Sequence, residues 1–496
     1  MSFAKIYKET IIKSLVKKGD EFMFIQSFFV PGLAHLSYLL GGRGACAIID
    51  PRRDVEEYMA MAKAMGMRIT HILETHLHAD FVSGHMDLAA RTGAEIIAPR
   101  AGQGAFKHQP VGEGDAFQIE DMNIQVFDTP GHTPEHITYL VTDRSRGAEP
   151  AAIFCGDTLF VGDVGRPDLF PGKANELAGK LFESLKKLKA LPDHVLVLPA
   201  HGAGSLCGRA MGAMRYSTIG YEKHYNAELQ HKTVDAFRAS LLSEMPEAPD
   251  HFSRCSDINR KGPVKLSELG MPKPLSPAEV NLFVKEGAIT LDGRDYFAFG
   301  GAHIPGAWNI DMAGNFQTFS GWMLPPGSPF VLVLENEGRV QEAITMLHRV
   351  GLDRIEGWLE GGMHAWSVGG LPVAHVPQMS VRELAELSKQ KPGPMILDVR
   401  GKLEYETLHL DGAVHMQAPD TRKRYGEIPR DKTVYVICNS GHRSSLACSV
   451  LKQHGIENVV NVAGGMTAYS AAGLIGKCPT CTAPHLPAAK ESHGGK

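Results

Sequence analysis

The sequence Thr75-His76-Leu77-His78-Ala79-Asp80 follows a mostly apolar run, residues 69–74, that predicts a short buried β-strand. The alternate spacing of its two histidines and its aspartate can bring several donor atoms to one point on an extended or tightly turned loop. Imidazole and carboxylate groups suit borderline metals such as zinc or iron. This stretch therefore predicts a metal site at a strand end within an α/β fold.

Three further donor residues follow predicted strands in the same way. The strands are residues 124–128, 151–155 and 195–199, and the donors that follow them are His132, Asp157 and His201. A helix is predicted between residues 55 and 67, so strands and helices alternate. Because α/β proteins place their chemistry on loops at strand ends, we expect these donors to share one site.

Length and composition indicate a multidomain globular protein. The chain has 496 residues, 43% apolar and 21% charged, with a formal net charge of −4, and this length predicts about three or four domains. The charge offers no surplus for binding nucleic acid, and no apolar run approaches the ~18 residues of a membrane span. No apolar region typical of a secretory signal follows the N-terminal lysines. The eight cysteines are too scattered for a disulfide framework, so we expect a reducing, cytoplasmic location.

The C-terminal half of the chain repeats itself. Leu291-Asp292-Gly293-Arg294 recurs at residues 397–400, an offset of 106, and Gly361-Gly362-Met363 recurs at residues 464–466, an offset of 103. Two copies of about a hundred residues are tandem domains, not a solenoid. A Gly- and Pro-containing stretch before the repeat predicts a linker. The predicted divisions are residues 1–255, a linker over 256–276, repeat copies at 277–375 and 376–476, and a tail at 477–496.

The N-terminal motifs resemble those of the metallo-β-lactamase superfamily. They are Thr75 to Asp80, Asp128-Thr129-Pro130-Gly131-His132, Cys155-Gly156-Asp157-Thr158 and Pro199-Ala200-His201-Gly202. The resemblance covers roughly residues 20–250 and is strongest to the persulfide dioxygenases, which are relatives of glyoxalase II. It implies an αββα sandwich for the first domain.

Phe81 departs from the pattern of the two-metal members of this superfamily, which carry HxHxDH. A phenyl ring cannot bind a metal, so the second metal position loses a ligand. The resemblance to persulfide dioxygenases then implies one Fe(2+) per chain, held by His76, His132 and Asp157. This is a 2-His-1-carboxylate set that leaves positions open for substrate and O₂. On this interpretation His78, Asp80 and His201 lie behind the ligands, where they orient groups or move protons.

Two more residues near these motifs are candidates for substrate binding. Arg166 matches the family's arginine near the carboxylate of the substrate thiol, and a guanidinium suits such bidentate binding. Its alternative role is an ion pair. Cys207 resembles a cysteine near the iron in multidomain members, where it could hold sulfane sulfur. A small apolar filler is the alternative for Cys207.

A second reactive segment lies in the last repeat copy. Cys438 begins a loop between a strand at residues 434–437 and a helix at 444–453, and the loop continues as Asn439, Ser440, Gly441, His442 and Arg443. Backbone N–H groups of such a loop, with the helix N-terminus, stabilise a thiolate or an anionic persulfide. His442 and Arg443 add charge or donors for an anionic sulfur donor. The segment resembles the rhodanese active loop, which implies a rhodanese domain at 376–476 with Cys438 as the nucleophile.

The first repeat copy carries Glu335 where the second carries the cysteine. A carboxylate cannot carry sulfane sulfur, so residues 277–375 are predicted to be a catalytically inactive rhodanese-like domain, a spacer or an assembly surface. The tail has one CxxC pair, Cys478 and Cys481, which is weak evidence for a redox or sulfur-shuttling role.

The resemblances together imply a persulfide dioxygenase coupled to a sulfurtransferase. The expected partners are a small-thiol persulfide (of glutathione, coenzyme A or a similar thiol), O₂, and sulfite or thiosulfate, and a homo-oligomer (dimer or tetramer) is expected. The alternatives are a glyoxalase II-like thioester hydrolase fused to rhodanese and a non-catalytic sulfur carrier or sensor.

Overall fold

The computed structural model describes residues 23–243, 245 and 247–475, which divide into two compact units. Unit 1 comprises the described residues up to Gly270 together with Gln317–Gly327 and Ile344–Asp353. Unit 2 comprises Met271–Phe316, Ser328–Ala343 and the described residues from Arg354 onward. The Cys478–Cys481 pair lies outside the described residues. Within those residues, no helix has both the length and the apolarity to cross a membrane.

Unit 1 is built on two six-stranded sheets. The first sheet has the order β1-β2-β3-β4-β5-β6, and its strands are β1 Phe24–Val30, β2 His35–Gly41, β3 Ala45–Ile49, β4 Arg68–Leu73, β5 Glu95–Pro99 and β6 Gln109–Val111. The second has the order β12-β11-β10-β9-β8-β7, and its strands are β7 Ala116–Ile119, β8 Met122–Asp128, β9 Ile137–Asp143, β10 Ala152–Gly156, β11 Leu196–Pro199 and β12 Ser217–Thr218.

Three apolar layers order these sheets and their helices. The helices are α1 Glu56–Ala64, α2 His85–Thr92, α3 Ala174–Lys189, α4 Ile219–Tyr225, α5 Val234–Ser243 and α6 His251–Lys261. A central core joins side chains of both sheets, such as Leu40 and Val126. A second core lies between the first sheet and α1 and α2, and a third between the second sheet and α3 and α5. This arrangement confirms the predicted αββα sandwich.

Helix α6 and one segment of the first repeat copy, Ile344–Asp353, pack against the loop that follows β4. The buried Asn259 side chain donates from Nδ2 to the carbonyl oxygens of His78 and Phe81, each at 2.8 Å, and its Oδ1 accepts from Ser83 N–H at 2.8 Å. The N–H of Val82 donates to the Arg349 carbonyl at 2.7 Å. The backbone of the donor-bearing loop is therefore held by side chains and carbonyls that lie far away in the sequence.

The segment predicted as a linker, residues 256–276, contains regular structure. Helix α6 extends to Lys261, and its Cys255 and Asn259 side chains are buried. The linker prediction over 256–276 was therefore wrong at both ends. Helix α6 fills its first residues, because the Gly and Pro residues that suggested a linker begin only at Gly262. Near its end, Lys273–Leu275 already forms a strand of the next sheet.

Unit 2 holds two five-stranded parallel sheets with the same strand order. The sheets are β13-β17-β16-β14-β15 and β18-β22-β21-β19-β20, so that in each copy the first strand lies beside the fifth, followed by the fourth, second and third. The first sheet has β13 Lys273–Leu275, β14 Ile289–Asp292, β15 Trp308–Asn309, β16 Phe330–Val333 and β17 Ile355–Leu359. The second has β18 Gln378–Ser380, β19 Met395–Asp398, β20 Val414–His415, β21 Val434–Ile437 and β22 Val459–Ala463. The shared order is what the sequence repeat predicts.

The helices of the repeat copies follow the strands in the same alternation. They are α7 Pro277–Lys285, α8 Tyr296–Gly301, α9 Phe316–Met323, α10 Val340–Arg349, α11 Gly362–Val368, α12 Val381–Leu387, α13 Lys402–Thr407, α14 Thr421–Arg424, α15 His442–Gln453 and α16 Gly465–Ala471. Helix α15 starts two residues before the predicted position. Its residues from Ser444 to Leu451 are all buried, and the helix packs on β15 as well as on β21 and β22.

We expect Asn259→Ala to lower the free energy of unfolding of the first unit by about 3 kcal/mol, because three buried backbone groups lose their hydrogen-bond partner. Urea-induced unfolding of the full chain measures this difference. The matched control is Arg260→Ala on the same helix, whose ion pair with Asp257 is exposed and should contribute less than about 1 kcal/mol. Equal stability of the two variants would contradict this role of Asn259.

Candidate metal centre and cysteine loop

The predicted donor residues of unit 1 converge because each follows the carboxyl end of a strand. His76 follows β4 of the first sheet, and His132 and Asp157 follow β8 and β10 of the second. Their ligand atoms lie within 4.8 Å of one another, and all three side chains are buried. The structure thus brings together the three residues that the sequence singled out as a ligand set.

The proton on His76 is located by a chain of hydrogen bonds. The Thr75 hydroxyl donates to Asp50 Oδ2 at 2.9 Å, so it can only accept at its 2.9 Å contact with His76 Nδ1. His76 therefore carries its hydrogen on Nδ1, and its Nε2 lone pair is free. Burial, with repulsion from His78 and other nearby histidines, holds the pKa of His76 well below its usual value. His76 is therefore neutral, as a metal ligand must be.

His132 is arranged in the same way by a different acceptor. Its Nδ1 lies 2.8 Å from the carbonyl oxygen of Arg166, and a carbonyl can only accept, so the hydrogen is again on Nδ1. Burial lowers the pKa of His132. Among the described residues, neither His76 Nε2 nor His132 Nε2 has a hydrogen-bond partner, although both are buried. Two bare imidazole nitrogens beside a carboxylate fit a borderline metal ion.

Asp157 supplies the carboxylate of this group. Its Oδ2 lies 3.3 Å from His132 Nε2 and 3.8 Å from His76 Nε2. Its Oδ1 lies 2.8 Å from His201 Nδ1, and His201 Nε2 lies 2.8 Å from Asp80 Oδ2. Burial opposes ionisation of Asp157, but attraction by His201 outweighs it, so the pKa of Asp157 lies well below its ordinary value. Burial likewise opposes charging of His201, but the two carboxylates raise its pKa well above normal, so His201 is an imidazolium.

His78 is held by a separate pair of carboxylates. Its Nε2 lies 3.1 Å from Asp50 Oδ1 and 3.6 Å from Glu74 Oε2. Burial would lower the pKa of His78, but the attraction of Asp50 and then Glu74 outweighs it and raises the pKa. A charged imidazole is a poor metal ligand, so this group is less suited to a metal than the His76 group.

A third group of possible donors joins Asp80, His201 and Cys207, whose ligand atoms also lie within 4.8 Å of one another. Both ring nitrogens of His201 already face carboxylates. Burial, followed by the charges of Asp80 and Asp157, raises the pKa of Cys207 well above its usual value, so this cysteine is a thiol. The His76, His132 and Asp157 group is therefore the best metal site among the described residues, with Cys207 close behind it.

Arg166 is buried and has an acid partner of its own. Its Nε and Nη2 donate to the two carboxylate oxygens of Asp168 at 2.7 and 2.8 Å, and Nη1 donates to the Leu206 carbonyl at 3.0 Å. Arg166 thus makes with Asp168 the bidentate pair that the sequence analysis expected it to make with a substrate carboxylate. The substrate-binding role of Arg166 stays a prediction, whereas the bond from His132 to its carbonyl connects it directly to the donor group.

The cysteine loop of unit 2 aims hydrogen-bond donors at sulfur. Cys438 follows β21 directly and is almost fully buried. Its Sγ accepts from the Gly441 N–H at 3.1 Å and from the Ser444 hydroxyl at 3.3 Å. Gly441 has a left-handed backbone (φ +107°), and an added Cβ would lie 2.8 Å from the Tyr296 ring, so only glycine fits there. Such donors stabilise a negative charge on sulfur.

Both basic residues of the loop have acidic partners. Arg443 makes a two-pronged ion pair with Glu404, at 2.6 and 2.8 Å. His442 Nδ1 lies 2.8 Å from Asp311 Oδ2 of the first repeat copy. Asn439 accepts from Thr467 through its carbonyl oxygen and through its side chain, which joins the loop to α16. In the first copy Asp292 pairs with Val333 as Asp398 pairs with Ile437 in the second, so the buried Leu334 stands at the position of Cys438. The sequence prediction that placed Glu335 there was wrong by one residue, and Glu335 is exposed.

Several residues of these sites were missed by sequence reasoning. They are Asp50 and Glu74 beside His78, His136 whose Nε2 accepts from Asp157 N–H at 2.9 Å, Asn259, and Asp311. Asp50 stands at a strand end like the other donors, so the same signal could have found it. Asn259 and Asp311 lie in segments without any motif.

A mixed α/β sandwich with a two-histidine, one-carboxylate group is the architecture of a metal-binding enzyme domain, and two copies of a parallel-sheet domain follow it. The family models agree with this architecture. Residues 30–201 match the metallo-beta-lactamase superfamily, and residues 276–368 and 380–472 each match the rhodanese-like domain.

The chain is also similar to individual proteins. The chain is 34% identical to a metallo-beta-lactamase of known structure from Staphylococcus aureus, covering 68% of this chain and 98% of that one with a TM-score of 0.61. It is 44% identical over 160 residues to a hydroxyacylglutathione hydrolase of Rhodospirillum rubrum, which is 32% of this chain and only 57% of that relative's length. The structure of ETHE1 from Myxococcus xanthus matches 48% of this chain and 98% of its own at 27% identity and a TM-score of 0.42. The chain belongs to the metallo-beta-lactamase superfamily, and its two repeat copies are rhodanese-like domains.

We expect His132→Ala to abolish stoichiometric metal binding, because the group keeps one bare imidazole nitrogen and one carboxylate. Metal analysis of the purified full chain measures the content. The matched control is His71→Ala, a half-buried histidine on β4 outside the three donor groups, which should keep the metal. Retention of metal by His132→Ala would show that another group binds it.

Proposed function

We propose that this protein is a non-haem iron persulfide dioxygenase coupled to a sulfurtransferase. The observation that supports this proposal most directly is the pair of neutral histidines, each with a bare Nε2, beside the ionised Asp157. A 2-His-1-carboxylate set of this kind is typical of Fe(2+) sites that use O₂. The rhodanese-like domain with its buried, hydrogen-bonded Cys438 supports a sulfur substrate for the same chain.

His76 Nε2, His132 Nε2 and Asp157 Oδ2 would hold the Fe(2+). The iron would supply the binding and activation of O₂. The balanced reaction is RSSH + O₂ + H₂O → RSH + SO₃²⁻ + 2 H⁺, in which the outer sulfur of the persulfide is oxidised and O₂ is reduced. The thiol could be glutathione, coenzyme A or a similar small thiol.

The residues behind the ligands have defined tasks in this proposal. His201 keeps a proton at Nδ1 that faces both carboxylate oxygens of Asp157, at 2.8 Å from Oδ1 and 3.0 Å from Oδ2, which holds the carboxylate in place beside the two histidines. Asp80 balances the charge of His201 through Nε2. The other oxygen of Asp80, Oδ1, is buried and lacks a hydrogen-bond partner among the described residues.

Cys438 would act on the product of the first reaction. Cys438 first takes sulfane sulfur from a second persulfide, RSS⁻ + Cys438–S⁻ → RS⁻ + Cys438–S–S⁻. The cysteine persulfide then transfers its outer sulfur to sulfite, Cys438–S–S⁻ + SO₃²⁻ → Cys438–S⁻ + S₂O₃²⁻, and the reverse of this second reaction loads the cysteine from thiosulfate. The Gly441 N–H and the Ser444 hydroxyl stabilise the negative sulfur in either direction. Fusion of the domains raises the effective concentration of sulfite at Cys438.

A thioester hydrolase is the second candidate, and the curated relatives named hydroxyacylglutathione hydrolase favour it for the N-terminal domain. Phe81 argues against it. Its ring is fully buried, 4.4 Å from the His78 ring, and it occupies the position of a second-metal histidine in the hydrolase motif. Two-metal hydrolysis needs that second site.

The iron-loaded full chain should consume O₂ when glutathione persulfide is added, and the sulfite and thiosulfate formed should together equal the O₂ consumed. An O₂ electrode with determination of sulfite and thiosulfate measures these amounts. Anaerobic turnover of a glutathione thioester without O₂ uptake would select the hydrolase instead. Absence of both activities in metal-loaded protein would favour a non-catalytic sulfur carrier or sensor. His71→Ala again serves as the matched control.

We expect Cys438→Ser to leave persulfide-dependent O₂ uptake within about twofold of the wild-type rate while suppressing thiosulfate formation, since a hydroxyl cannot carry sulfane sulfur. Chromatography of the products measures thiosulfate and sulfite, and sulfite should accumulate in its place. The matched control is Cys448→Ser, a buried cysteine on α15 with a raised pKa. Thiosulfate formed at the wild-type rate by Cys438→Ser would overturn the relay.

A further inference from the structure

The rhodanese-like copy without the cysteine places three side chains against the cysteine loop of the other copy. Tyr296 lies behind Gly441, and its ring centroid is 5.2 Å from that of His442. Asn309 at the end of β15 accepts from the Ser445 hydroxyl of α15. Asp311, two residues further on, accepts from His442 Nδ1 at 2.8 Å. All three contacts reach the loop or the first turn of α15.

Asp311 stands out because its carboxylate is buried, with only 4% of the side chain exposed. Its Oδ1 accepts from the Ala313 N–H at 2.7 Å, and its Oδ2 meets His442. A buried carboxylate is costly unless its oxygens are hydrogen-bonded. The partner that satisfies Oδ2 therefore comes from the other copy, and a carboxylate can only accept, so the hydrogen of His442 is fixed on Nδ1.

The repeat supplies a comparison for Asp311. Strand pairing aligns Asp292 with Asn309 in the first copy and Asp398 with His415 in the second. At the same offset, Asp311 corresponds to Gln417. An aspartate at this position is therefore not shared by the two copies. It occurs only in the copy that lacks the cysteine.

His442 is the first residue of α15 and directly follows Gly441, whose N–H donates to Cys438 Sγ. A bond that holds the His442 side chain restrains the first residue of α15, which adjoins Gly441 in the chain. We infer that the cysteine-free copy is the positioning partner of the sulfur-transfer loop, with Asp311 holding His442 so that the loop N–H groups face Cys438. Asp311 is a positioning residue, and the inference rests on the proposed role of Cys438.

The test measures transfer of sulfur from thiosulfate to cyanide, S₂O₃²⁻ + CN⁻ → SO₃²⁻ + SCN⁻, by the full chain. Asp311→Ala should lower kcat/KM for thiosulfate about tenfold, as loss of a charged hydrogen bond does. His442→Ala should lower it to a similar extent, and the double variant should be no worse than either, because both residues act through one bond. Asp311→Asn keeps an acceptor for Nδ1–H and should recover most of the loss. Glu286→Gln, an exposed acid of the same copy, should equal the wild type.

Hydrogen exchange of the peptide from Cys438 to Leu446 gives a second reading that needs no activity. Asp311→Ala should speed its exchange and Asp311→Asn should not. Wild-type kcat/KM or unchanged exchange in Asp311→Ala would overturn the inference, and so would losses that multiply in the double variant. Lack of thiosulfate turnover in the wild type would instead overturn the proposed role of Cys438, while the exchange experiment would still decide whether Asp311 holds the loop.

Discussion

The metal centre depends on where two histidines keep their hydrogens. Each Nδ1–H of His76 and His132 is engaged by an oxygen that can only accept, the Thr75 hydroxyl in one case and the Arg166 carbonyl in the other. The Nε2 atoms of both histidines consequently keep a free lone pair and lie near Asp157 Oδ2. If the Thr75 hydroxyl did not donate a hydrogen bond to Asp50, the ring nitrogen of His76 that carries the hydrogen would not be fixed, and the donor group would lose its preorganisation.

The charges around this group are distributed so that the ligand histidines stay neutral. His201 lies between Asp157 and Asp80, and His78 lies near Asp50 and Glu74. Each imidazolium is thereby matched with carboxylates, as buried charge requires. His76 and His132 have no such second carboxylate, and burial keeps them uncharged. One fold thus produces two kinds of histidine from the same short motif, and only one kind suits a metal.

The sequence was sufficient for the features that are local or repeated. The donors at strand ends, the αββα sandwich and the two parallel-sheet copies could all be predicted, and the strand before Cys438 was predicted with its observed bounds. It was insufficient where packing joins distant segments. Asn259 supports the loop after β4 from 178 residues further along the chain. The ion pair of Arg166 is local and was one of the two roles that the sequence offered, but no motif identified Asp168 as its partner. Asp311 and Tyr296 belong to the copy that the sequence predicts to be a spacer or an assembly surface. The sequence shows that this copy lacks the cysteine, but it does not show that the copy contacts the cysteine loop.

Two acidic residues distinguish the cysteine-free copy from the active one, Glu335 and Asp311. They differ in burial, and this difference indicates which of them has a structural role. Glu335 follows Leu334, which the strand register places at the position of the nucleophile. Glu335 is exposed, and an exposed carboxylate costs little, so it requires no further explanation. Asp311 is buried and would be destabilising without His442. Segments of the same copy, Gln317–Gly327 and Ile344–Asp353, belong to unit 1, where the Arg349 carbonyl accepts from Val82 of the donor-bearing loop. A domain that has lost its nucleophile but contacts the loop of each site is better understood as a support for both than as a spacer.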